Sequence, residues 1–517
     1  MTAAFVPRSL VAAIDQGTTS SRCILFDHAG QPVASHQLEH AQITPRPGWV
    51  EHDADEILER VRTCVRVALR DVGADARALA AVGISNQRET TVVWSRRTGR
   101  PIANAIVWQD TRTADAGVRL AAGGGAAVGP DRFRPQTGLP ISTYSSALKL
   151  AWILDSGTPA EARDRRPAAE RGELLFGTID SWLIWHLTGG TNGGVHVTDV
   201  TNASRTMLMN LETLAWDPDL LAAVNVPAAM LPEIRSSSEV YGDGVGDLAG
   251  VPIAGDLGDQ HAALFGQTCF EPGQIKCTYG TGCFMLMHTG ERPVASTHGL
   301  ITTVAARLGT APATYALEGS VAVAGSLIGW LRDNLGIIGD ASEVEKLARS
   351  VPDSGDVVFV PAFSGLFAPH WRSDARGVIA GLTAYASRGN IARAALESTA
   401  YQVYDLGEAM AADLGAALPG ELRVDGGMIR NDLLMQFQAD ILGTPVVAAP
   451  IAEITALGAA YAAGLAVGFW SGLAELRSMD RAGRRWEPSM DETTRAAGLA
   501  RWHKGVERTL GWVEPGA

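Results

Sequence analysis

The chain has 517 residues, more than one hydrophobic core usually serves, so its length predicts two large domains with a cleft between them. Its net charge is -13 and it has no long run of Lys and Arg, which excludes nucleic acid as the main partner because phosphate contacts need a basic face. The composition, 46% hydrophobic and 19% charged, is that of a soluble globular protein.

The first half alternates strand and helix patterns. "LVAAIDQGTTSSRCILFD" predicts strands over 10–14 and 23–26 that are joined by a Gly-Thr turn. A helix is predicted to begin at its cap Asp53, because apolar residues then recur at helical spacing. Residues 81–86 predict a buried strand, and 174–187 predict a strand that runs into a helix.

The second half restarts the same pattern, which predicts an internal duplication. "IKCTYGTGCFMLM" (275–287) is again an apolar strand, a Gly-Thr turn and an apolar strand. The other predicted elements are strands over 357–363, 377–382 and 422–427, a long helix from near Asn390, and a helix over "NDLLMQFQADILG". Alternation of strands and helices in both halves predicts two α/β domains, residues 1–266 and 267–517.

Residues 454–474, "ITALGAAYAAGLAVGFWSGLA", are uncharged and about long enough to cross a bilayer. Because Ala and Gly contribute little transfer free energy and no basic residues flank the stretch, we predict a closely packed internal helix and no membrane segment. The chain has five cysteines and no C-x-x-C pair, which favours reduced thiols in a cytoplasmic protein. We expect Cys23, Cys269, Cys277 and Cys283 to be packing residues.

The two Gly-Thr turns, "GTTS" and "YGTG", are candidate phosphate-binding sites. Successive backbone N–H groups in such turns form an anion-binding nest, and the hydroxyls add donors. Ordinary hairpin turns are the alternative for either turn alone, but the duplication favours phosphate. The chain has no Gly-Lys dipeptide, which excludes a Walker A loop, and the H-R-D and D-F-G signatures of protein kinases are missing too.

Two further stretches contain charged residues that could take part in catalysis or substrate binding. "GDLGDQHAALFG" (255–266) is either a surface turn before an N-capped helix or a carboxylate at the floor of a cleft, serving a proton or a metal ion. "SNQRETT" places Arg88 and Glu89 at a strand end, where they either bind a polyol from both sides or form a weak exposed ion pair. His261 is expected to be structural, since it falls within the first turn of a helix.

Together the motifs "DQGTTSSR", "NQRETT", "YGTGCFM", "RVDGG" and "TALGAAY" closely resemble the glycerol kinases of the FGGY carbohydrate kinase family, within the actin, Hsp70 and hexokinase ATPase superfamily. The resemblance extends from about residue 10 to 475. It implies an α/β fold with two ribonuclease H-like (actin-like ATPase) domains around a central cleft. It also implies phosphorylation of glycerol to sn-glycerol 3-phosphate with ATP and Mg²⁺, in glycerol catabolism and glycerolipid precursor supply.

The resemblance further implies roles for individual residues. Asp259 matches the general base, whereas Asp256 has no counterpart and is expected to be a turn residue. Glycerol-binding positions are matched by Arg88, Glu89, Trp108, Tyr144, Asp259, Gln260 and Phe284. Nucleotide-binding positions are matched by Thr18, Thr19, Ser20, Arg22, Thr281, Gly325, Gly427 and Asn431. Mg²⁺ positions are matched by Asp15 and Asp259.

Two positions depart from the family pattern. Gly329 stands where many bacterial members carry a glutamine that faces the nucleotide, and Ser236 replaces an arginine found in members inhibited by fructose 1,6-bisphosphate. The expected small-molecule partners are glycerol and ATP. The chain is expected to form a homodimer or homotetramer. The alternatives are a kinase for another polyol or sugar such as xylulose, and a non-catalytic nucleotide switch of the actin or Hsp70 kind.

Overall fold

Each half of the chain is built on a mixed β-sheet, in a computed structural model that describes residues 8–123, 128–418, 420–480 and 483–513. The strands in chain order are β1 (Leu10–Gln16), β2 (Ser20–Phe26), β3 (Pro32–Glu39), β4 (Glu51–His52), β5 (Leu79–Asn86), β6 (Val92–Ser95), β7 (Ala105–Ile106), β8 (Leu174–Gly177), β9 (Val197–Asp199), β10 (Met209–Asn210), β11 (Ala215–Trp216), β12 (Glu233–Arg235), β13 (Ser238–Asp243), β14 (Pro252–Gly258), β15 (Ile275–Tyr279), β16 (Cys283–Gly290), β17 (Ile301–Ala306), β18 (Thr314–Val321), β19 (Val358–Val360), β20 (Val378–Ala380), β21 (Leu422–Asp425), β22 (Val446–Ala448) and β23 (Arg485–Trp486).

The helices pack on the faces of these sheets. In chain order they are α1 (Ala54–Asp71), α2 (Ala114–Ala122), α3 (Arg134–Thr137), α4 (Ser146–Asp155), α5 (Pro159–Glu170), α6 (Ile179–Leu187), α7 (Val200–Ala203), α8 (Pro218–Val224), α9 (Asp259–Gly266), α10 (Gly325–Asp333), α11 (Glu343–Ala348), α12 (Arg388–Leu414), α13 (Asp432–Leu442), α14 (Ile454–Ala466), α15 (Leu473–Met479) and α16 (Glu492–Glu507).

The two main sheets repeat one topology, which confirms the predicted duplication. The first has the strand order β13-β14-β5-β1-β2-β3 and the second, in reverse, β23-β22-β21-β15-β16-β18-β17. In both, the hairpin that carries a Gly-Thr turn has a parallel strand on one side, β5 or β21, and an antiparallel strand on the other, β3 or β18. The two turns therefore occupy equivalent places in the two sheets.

Most predicted elements are confirmed, with shifted ends. The carboxylate of Asp53 caps α1 by accepting hydrogen bonds from the backbone N–H groups of the second and third residues after it. The strands predicted over 357–363 and 377–382 shorten to β19 and β20, which pair only with each other. All five cysteines are buried and free, which confirms their packing role.

Helix α14 confirms the predicted internal helix but ends earlier, near Gly468, whose left-handed φ of 72° stops the helix. It packs on the first sheet, against β5, β14 and α9. Glycines allow the backbones to touch: a Cβ on Gly458 would lie 1.8 Å from the carbonyl oxygen of Ala262, and one on Gly83 would lie 2.0 Å from that of Ala459. None of the helices in the described ranges has the length and apolar character that a membrane crossing needs. The domain limits 1–266 and 267–517 remain a proposal, and α14 joins the second range to the first sheet.

Asp256 is not a turn residue, contrary to the sequence-based expectation. It lies in β14 opposite Ile84 of β5, and its side chain is fully buried. The surface-turn interpretation of 255–266 is therefore wrong for residues 255–258. The Gly-Asp pairs favour a turn locally, but burial of β14 in the middle of the first sheet decides the conformation.

Two other buried carboxylates face Asp256, namely Asp180 at the start of α6 and Asp199 at the end of β9. Asn202 Nδ2 lies 3.0 Å from Asp199 Oδ1 and 3.3 Å from Asp256 Oδ1, while Asp256 Oδ2 has no partner if the group is ionised. Burial, followed by repulsion from Asp180 and Asp199, raises the pKa of Asp256 well above its ordinary value. Burial and the two neighbouring carboxylates therefore both favour the protonated form of Asp256.

We expect Gly458→Ala to destabilise the fold strongly, because the new methyl group would collide with the Ala262 carbonyl oxygen of α9. Overpacking of this kind costs about 1–3 kcal/mol or more. Gly117→Ala in α2 is the control, since a Cβ there meets no atom nearer than 3.5 Å and alanine favours a helix. Thermal unfolding checks the pair. A Tm loss for Gly458→Ala no larger than that for Gly117→Ala would contradict the backbone contact.

We expect Asp256→Asn to make the free energy of unfolding less dependent on pH. The folded state holds a proton on Asp256 that the unfolded chain releases above about pH 4, so this contribution is full below that pH and decreases as pH rises. The slope is at most about 1.4 kcal/mol per pH unit. Asparagine keeps the shape and cannot ionise. Urea unfolding between about pH 5 and pH 8 should give a less negative slope for Asp256→Asn than for the wild type or for Asp164→Asn on the exposed face of α5; equal slopes would show that Asp256 is ionised.

Candidate active site

The candidate site lies where three parallel strands of the first sheet end. The pairing register aligns Gln16 of β1 with Asn86 of β5, and Asn86 with Gly258 of β14. The next residues along each chain segment are the first Gly-Thr turn, the Arg88 region and Asp259. Carboxyl ends of parallel strands are the usual ligand sites of α/β sheets. The fold thus brings these separate motifs to one edge.

Asp259 is the first residue of α9 and reaches the cleft with 29% of its side chain exposed. Its Oδ1 lies 3.2 Å from Arg88 Nε and accepts a hydrogen bond from the Gln260 backbone N–H at 2.7 Å. Burial raises the pKa of Asp259 to about 6, although Arg88 opposes the rise. A Cβ on the preceding Gly258 would lie 2.7 Å from Arg88 Cδ, so glycine here leaves room for the arginine.

Arg88 and Glu89 are buried, at 3% and 2% exposure, so the alternative of a weak exposed ion pair is wrong. Arg88 Nη1 and Nη2 donate to Glu318 at 2.6 and 2.8 Å, and Glu89 Oε1 accepts from Arg205 Nε at 2.7 Å. Glu89 has a left-handed φ of 61°, which a residue with a side chain rarely adopts. Such strain is commonly found at functional sites.

Sequence reasoning missed Arg205 and Glu318, both fully buried partners of these two residues. Burial alone would raise the pKa of Glu318, but Arg205 and Arg88 together lower it well below its ordinary value, so the carboxylate is ionised. The available signal is an acid within the apolar strand "TYALEGSV", since charged residues are almost never fully buried unless paired. The sequence does not identify the partner.

Three aromatic rings line the same region. Trp108 meets Tyr144 edge-on at a centroid distance of 5.5 Å and Phe284 at 6.4 Å. The Arg205 guanidinium lies 5.3 Å from the Tyr144 ring centroid. Trp108 Nε1 donates to Thr18 Oγ1 at 2.9 Å, which links these rings to the first Gly-Thr turn.

Gln260 completes the group, since its Oε1 accepts a hydrogen bond from Lys276 Nζ at 2.5 Å. Contacts or chain continuity therefore connect every residue that we expect to bind glycerol. These are Arg88, Glu89, Trp108, Tyr144, Asp259, Gln260 and Phe284.

The first Gly-Thr turn, residues 17–20, is held rigidly between β1 and β2. The Gly17 N–H donates to the Ser20 carbonyl, and the Thr18 carbonyl accepts from His40 and Gln42 side chains at 3.0 Å each. Just beyond the turn, Arg22 pairs in register with Asp15, and its buried Nε has no hydrogen-bond partner. An unpaired cationic nitrogen beside a phosphate-binding turn suits an anionic ligand.

The second turn, around Thr281, meets α10 and the segment before α13. The Thr281 carbonyl accepts from the Ala324 and Ser326 backbone N–H groups at 3.0 and 3.1 Å, and the Gly325 N–H donates to the Gly280 carbonyl at 3.0 Å. A Cβ on Gly426, next to Gly427, would lie 2.4 Å from the Tyr279 carbonyl oxygen. Asn431 caps α13 by accepting from the Leu434 N–H at 2.9 Å. The second turn therefore contacts Gly325 and the segment at Gly426, whereas Asn431 lies at the start of α13.

The two departures from the family pattern differ in environment. A Cβ on Gly329 in α10 would meet no atom within 4 Å. Ser236 is buried and donates to the Arg307 carbonyl at 2.8 Å, so a longer side chain there would have to disturb this packing. His261 is buried beside Thr303, and burial lowers its pKa well below the ordinary value, as expected of a structural histidine.

A divalent cation would find few protein ligands here. Asp15 Oδ1 accepts from Ser85 Oγ at 2.8 Å, and burial raises the pKa of Asp15 against the opposing charge of Arg22. No group of three or more His, Cys, Asp or Glu side chains able to hold a metal ion occurs in the described ranges. Mg²⁺ in kinase sites is usually held by one or two carboxylates together with phosphate oxygens and water. The carboxylates of Asp15 and Asp259 fit that mode of binding.

Known proteins similar to this chain were found by sequence and by structure. The model of the FGGY family of carbohydrate kinases matches residues 10–266 with its N-terminal domain and residues 275–467 with its C-terminal domain. The glycerol kinase of Chloroflexus aggregans is 59% identical over 503 residues, covering 97% of this chain and 99% of the relative. Glycerol kinase 2 of Streptomyces avermitilis is 58% identical over 504 residues, covering 98% of this chain and 97% of the relative.

Among solved structures, that of Plasmodium falciparum glycerol kinase with ADP superposes with a TM-score of 0.89 at 38% identity. The superposition covers 98% of this chain and 99% of that one. The two family domains and the full-length relatives agree on the FGGY family. The expected two-domain α/β architecture of the actin-like ATPases is confirmed. The chain belongs to the FGGY family of carbohydrate kinases.

Proposed function

We propose that this chain phosphorylates glycerol with ATP, giving sn-glycerol 3-phosphate and ADP. The relatives that match its full length are glycerol kinases. The observation that carries the proposal is one connected group of side chains. Arg88 lies between the carboxylates of Asp259 and Glu318. Arg205 links Glu318 to the ring of Tyr144, and that ring meets Trp108, which also meets Phe284. Paired donors and acceptors suit hydroxyl groups, and apolar rings suit the carbon chain.

Arg88 and Glu89 hold glycerol from two sides, the first as a donor and the second as an acceptor. Gln260 adds an amide, and the rings of Trp108 and Phe284 contact the carbon backbone. The left-handed backbone of Glu89 is maintained by the Arg205 ion pair and by Ser146 Oγ, which donates to the Glu89 carbonyl at 3.1 Å. The polyol therefore meets groups that are already oriented, which lowers the entropic cost of binding.

Asp259 accepts the proton of the glycerol hydroxyl while that oxygen attacks the γ-phosphorus of ATP. The bond from the γ-phosphorus to the bridging oxygen breaks, and ADP leaves with its electron pair. A pKa of about 6, raised by burial, makes this carboxylate a better proton acceptor than an exposed aspartate while leaving it ionised near neutral pH. Phosphoryl transfer otherwise depends on positioning and on stabilisation of charge.

The phosphates of ATP are held by Thr18, Thr19, Ser20 and Arg22 on the first turn and by Thr281 on the second. Gly325, Gly427 and Asn431 contact the rest of the nucleotide. Asp15 and Asp259 would hold Mg²⁺, which would neutralise charge on the phosphates. We further propose a cytoplasmic homodimer or homotetramer.

A kinase assay across glycerol, dihydroxyacetone, xylulose and erythritol tests this function against its rivals. Glycerol should be phosphorylated with the highest kcat/KM. Preference for xylulose would assign the chain to another sugar, and ATP binding with no phosphorylated product would favour a nucleotide switch.

Asp259→Asn should nearly abolish turnover, because loss of a general base typically lowers the rate about a hundred- to ten-thousandfold. Glycerol and ATP should still bind, since the amide preserves the shape of the carboxylate. Asp256→Asn is the matched control and should keep turnover within a few fold, because the raised pKa of Asp256 already favours its uncharged form. Steady-state kinetics and equilibrium binding separate the two effects. If instead Asp256→Asn lost activity and Asp259→Asn kept it, the assigned base would be wrong.

Gly329→Gln should lower the KM for ATP about two- to tenfold, the effect of one added hydrogen bond. A Cβ at position 329 would meet no atom within 4 Å, so a side chain can start there without displacing a neighbour. The KM for glycerol should stay the same, because α10 belongs to the nucleotide side of the site. An unchanged KM for ATP would show that position 329 does not face the nucleotide.

A further inference from the structure

Two fully buried, oppositely charged residues lie in one row of the second sheet. Lys276 of β15 pairs with Leu286 of β16, and Leu286 pairs with Glu318 of β18. Residues that pair directly across strands project to the same face of a sheet. Their exposures are all 0%. Lys276 and Glu318 are thus two strand spacings apart, about 10 Å, on one face.

Both ends of this row reach across to the first half of the chain. Glu318 accepts from both terminal nitrogens of Arg88, at 2.6 and 2.8 Å. Lys276 Nζ donates to Gln260 Oε1 at 2.5 Å and to Thr278 Oγ1 at 3.0 Å. We assign both Arg88 and Gln260 to glycerol binding. Arg88 contacts the Asp259 carboxylate, and Gln260 follows Asp259 in the sequence.

The hydrogen bonds of Arg88 show what Glu318 achieves. A guanidinium has five N–H donors. Two of them point to Glu318, and Nε lies 3.2 Å from Asp259 Oδ1. The other N–H groups are left for a substrate hydroxyl, and the hydrogen bonds to Glu318 together with the ion pair with Asp259 fix the orientation of the guanidinium. Without Glu318, the Arg88 guanidinium could rotate, and its charge would be only partly neutralised.

The second sheet also carries part of the proposed nucleotide site. Strands β15 and β16, which carry Lys276 and Leu286 of this row, also flank the turn that contains Thr281. The sheet that presents the second phosphate turn therefore also fixes Arg88 and Gln260.

We propose that Glu318 and Lys276 are positioning residues for glycerol: one row of the second sheet sets the orientation and spacing of Arg88 and Gln260 around Asp259. This inference rests on the proposed function, because it assigns Arg88 and Gln260 to glycerol. Neither Glu318 nor Lys276 is required to touch the substrate.

Glu318→Gln tests the first of the two. It should raise the KM for glycerol about ten- to a hundredfold, the effect of losing charge-assisted hydrogen bonds to a buried arginine, while the KM for ATP stays within about twofold. Glu318→Asp keeps the charge but shortens its reach, and should recover part of the loss. Glu397→Gln is the matched control, since Glu397 is another buried glutamate paired with an arginine, Arg393 on α12. It should leave both KM values unchanged.

Lys276→Met tests the second residue independently and should also raise the KM for glycerol selectively. A merely structural role would lower Tm without changing the KM of the folded fraction, so Tm and KM are measured together. If Glu318→Gln does not fold, Glu318→Asp carries the test, and an unchanged glycerol KM for it overturns the inference.

The two proposals can fail separately. If the wild type does not phosphorylate glycerol, the proposed function fails. If it does, and both Glu318→Gln and Lys276→Met keep the wild-type glycerol KM, the function stands and the positioning role is overturned.

Discussion

Burial of the Arg88 guanidinium is the constraint on which the site depends. Removing a full positive charge from water costs several kcal/mol unless carboxylates surround it. Asp259 supplies one such group from the first half of the chain, and Glu318 supplies the other from the second sheet. The same glutamate lies 3.6 Å from Arg205, which in turn holds Glu89. Charge balance at the site therefore requires the two halves to meet there, so the fold and the candidate polyol site are specified together.

The part of this arrangement that depends on local sequence could be predicted. The two Gly-Thr hairpins, the Asp53 cap and the repeated strand and helix pattern follow from neighbouring residues, and the structure confirms them. Arg205 and Glu318 could not be found in this way, because their partners lie 116 and 230 residues away. The expectation that Asp256 is a turn residue is wrong because the neighbouring residues favour a turn, whereas burial of β14 in the sheet decides the conformation.

For helix α14, too, the local sequence predicts one property, burial, but not another, the partner on which the helix packs. Its stretch is apolar all round, which predicts burial but not a packing partner. The partner is decided by glycines on other elements, since Gly83 of β5, Gly255 of β14 and Gly266 of α9 each leave room for its backbone. Only when these three strand and helix segments are brought together does the surface exist on which α14 fits. A segment of the second half thus becomes part of the core of the first sheet.

The first sheet and its neighbours bury carboxylates in two chemically different ways. At the candidate site, Glu89 just after β5 and Glu318 within β18 of the second sheet are paired with arginines. Within the first sheet, Asp256 of β14 faces Asp180 and Asp199, and burial together with their like charge raises its pKa well above the ordinary value. The two groups are close in the fold, because Asn86 at the end of β5 donates to both Asp180 and Asn202. Arginines balance the carboxylates at the candidate polyol site, whereas a raised pKa favours the uncharged form of the carboxyl group that only joins strands and helices. The ionisation of each buried acid therefore follows from which partner the long-range packing supplies, and that packing is what the sequence alone does not reveal.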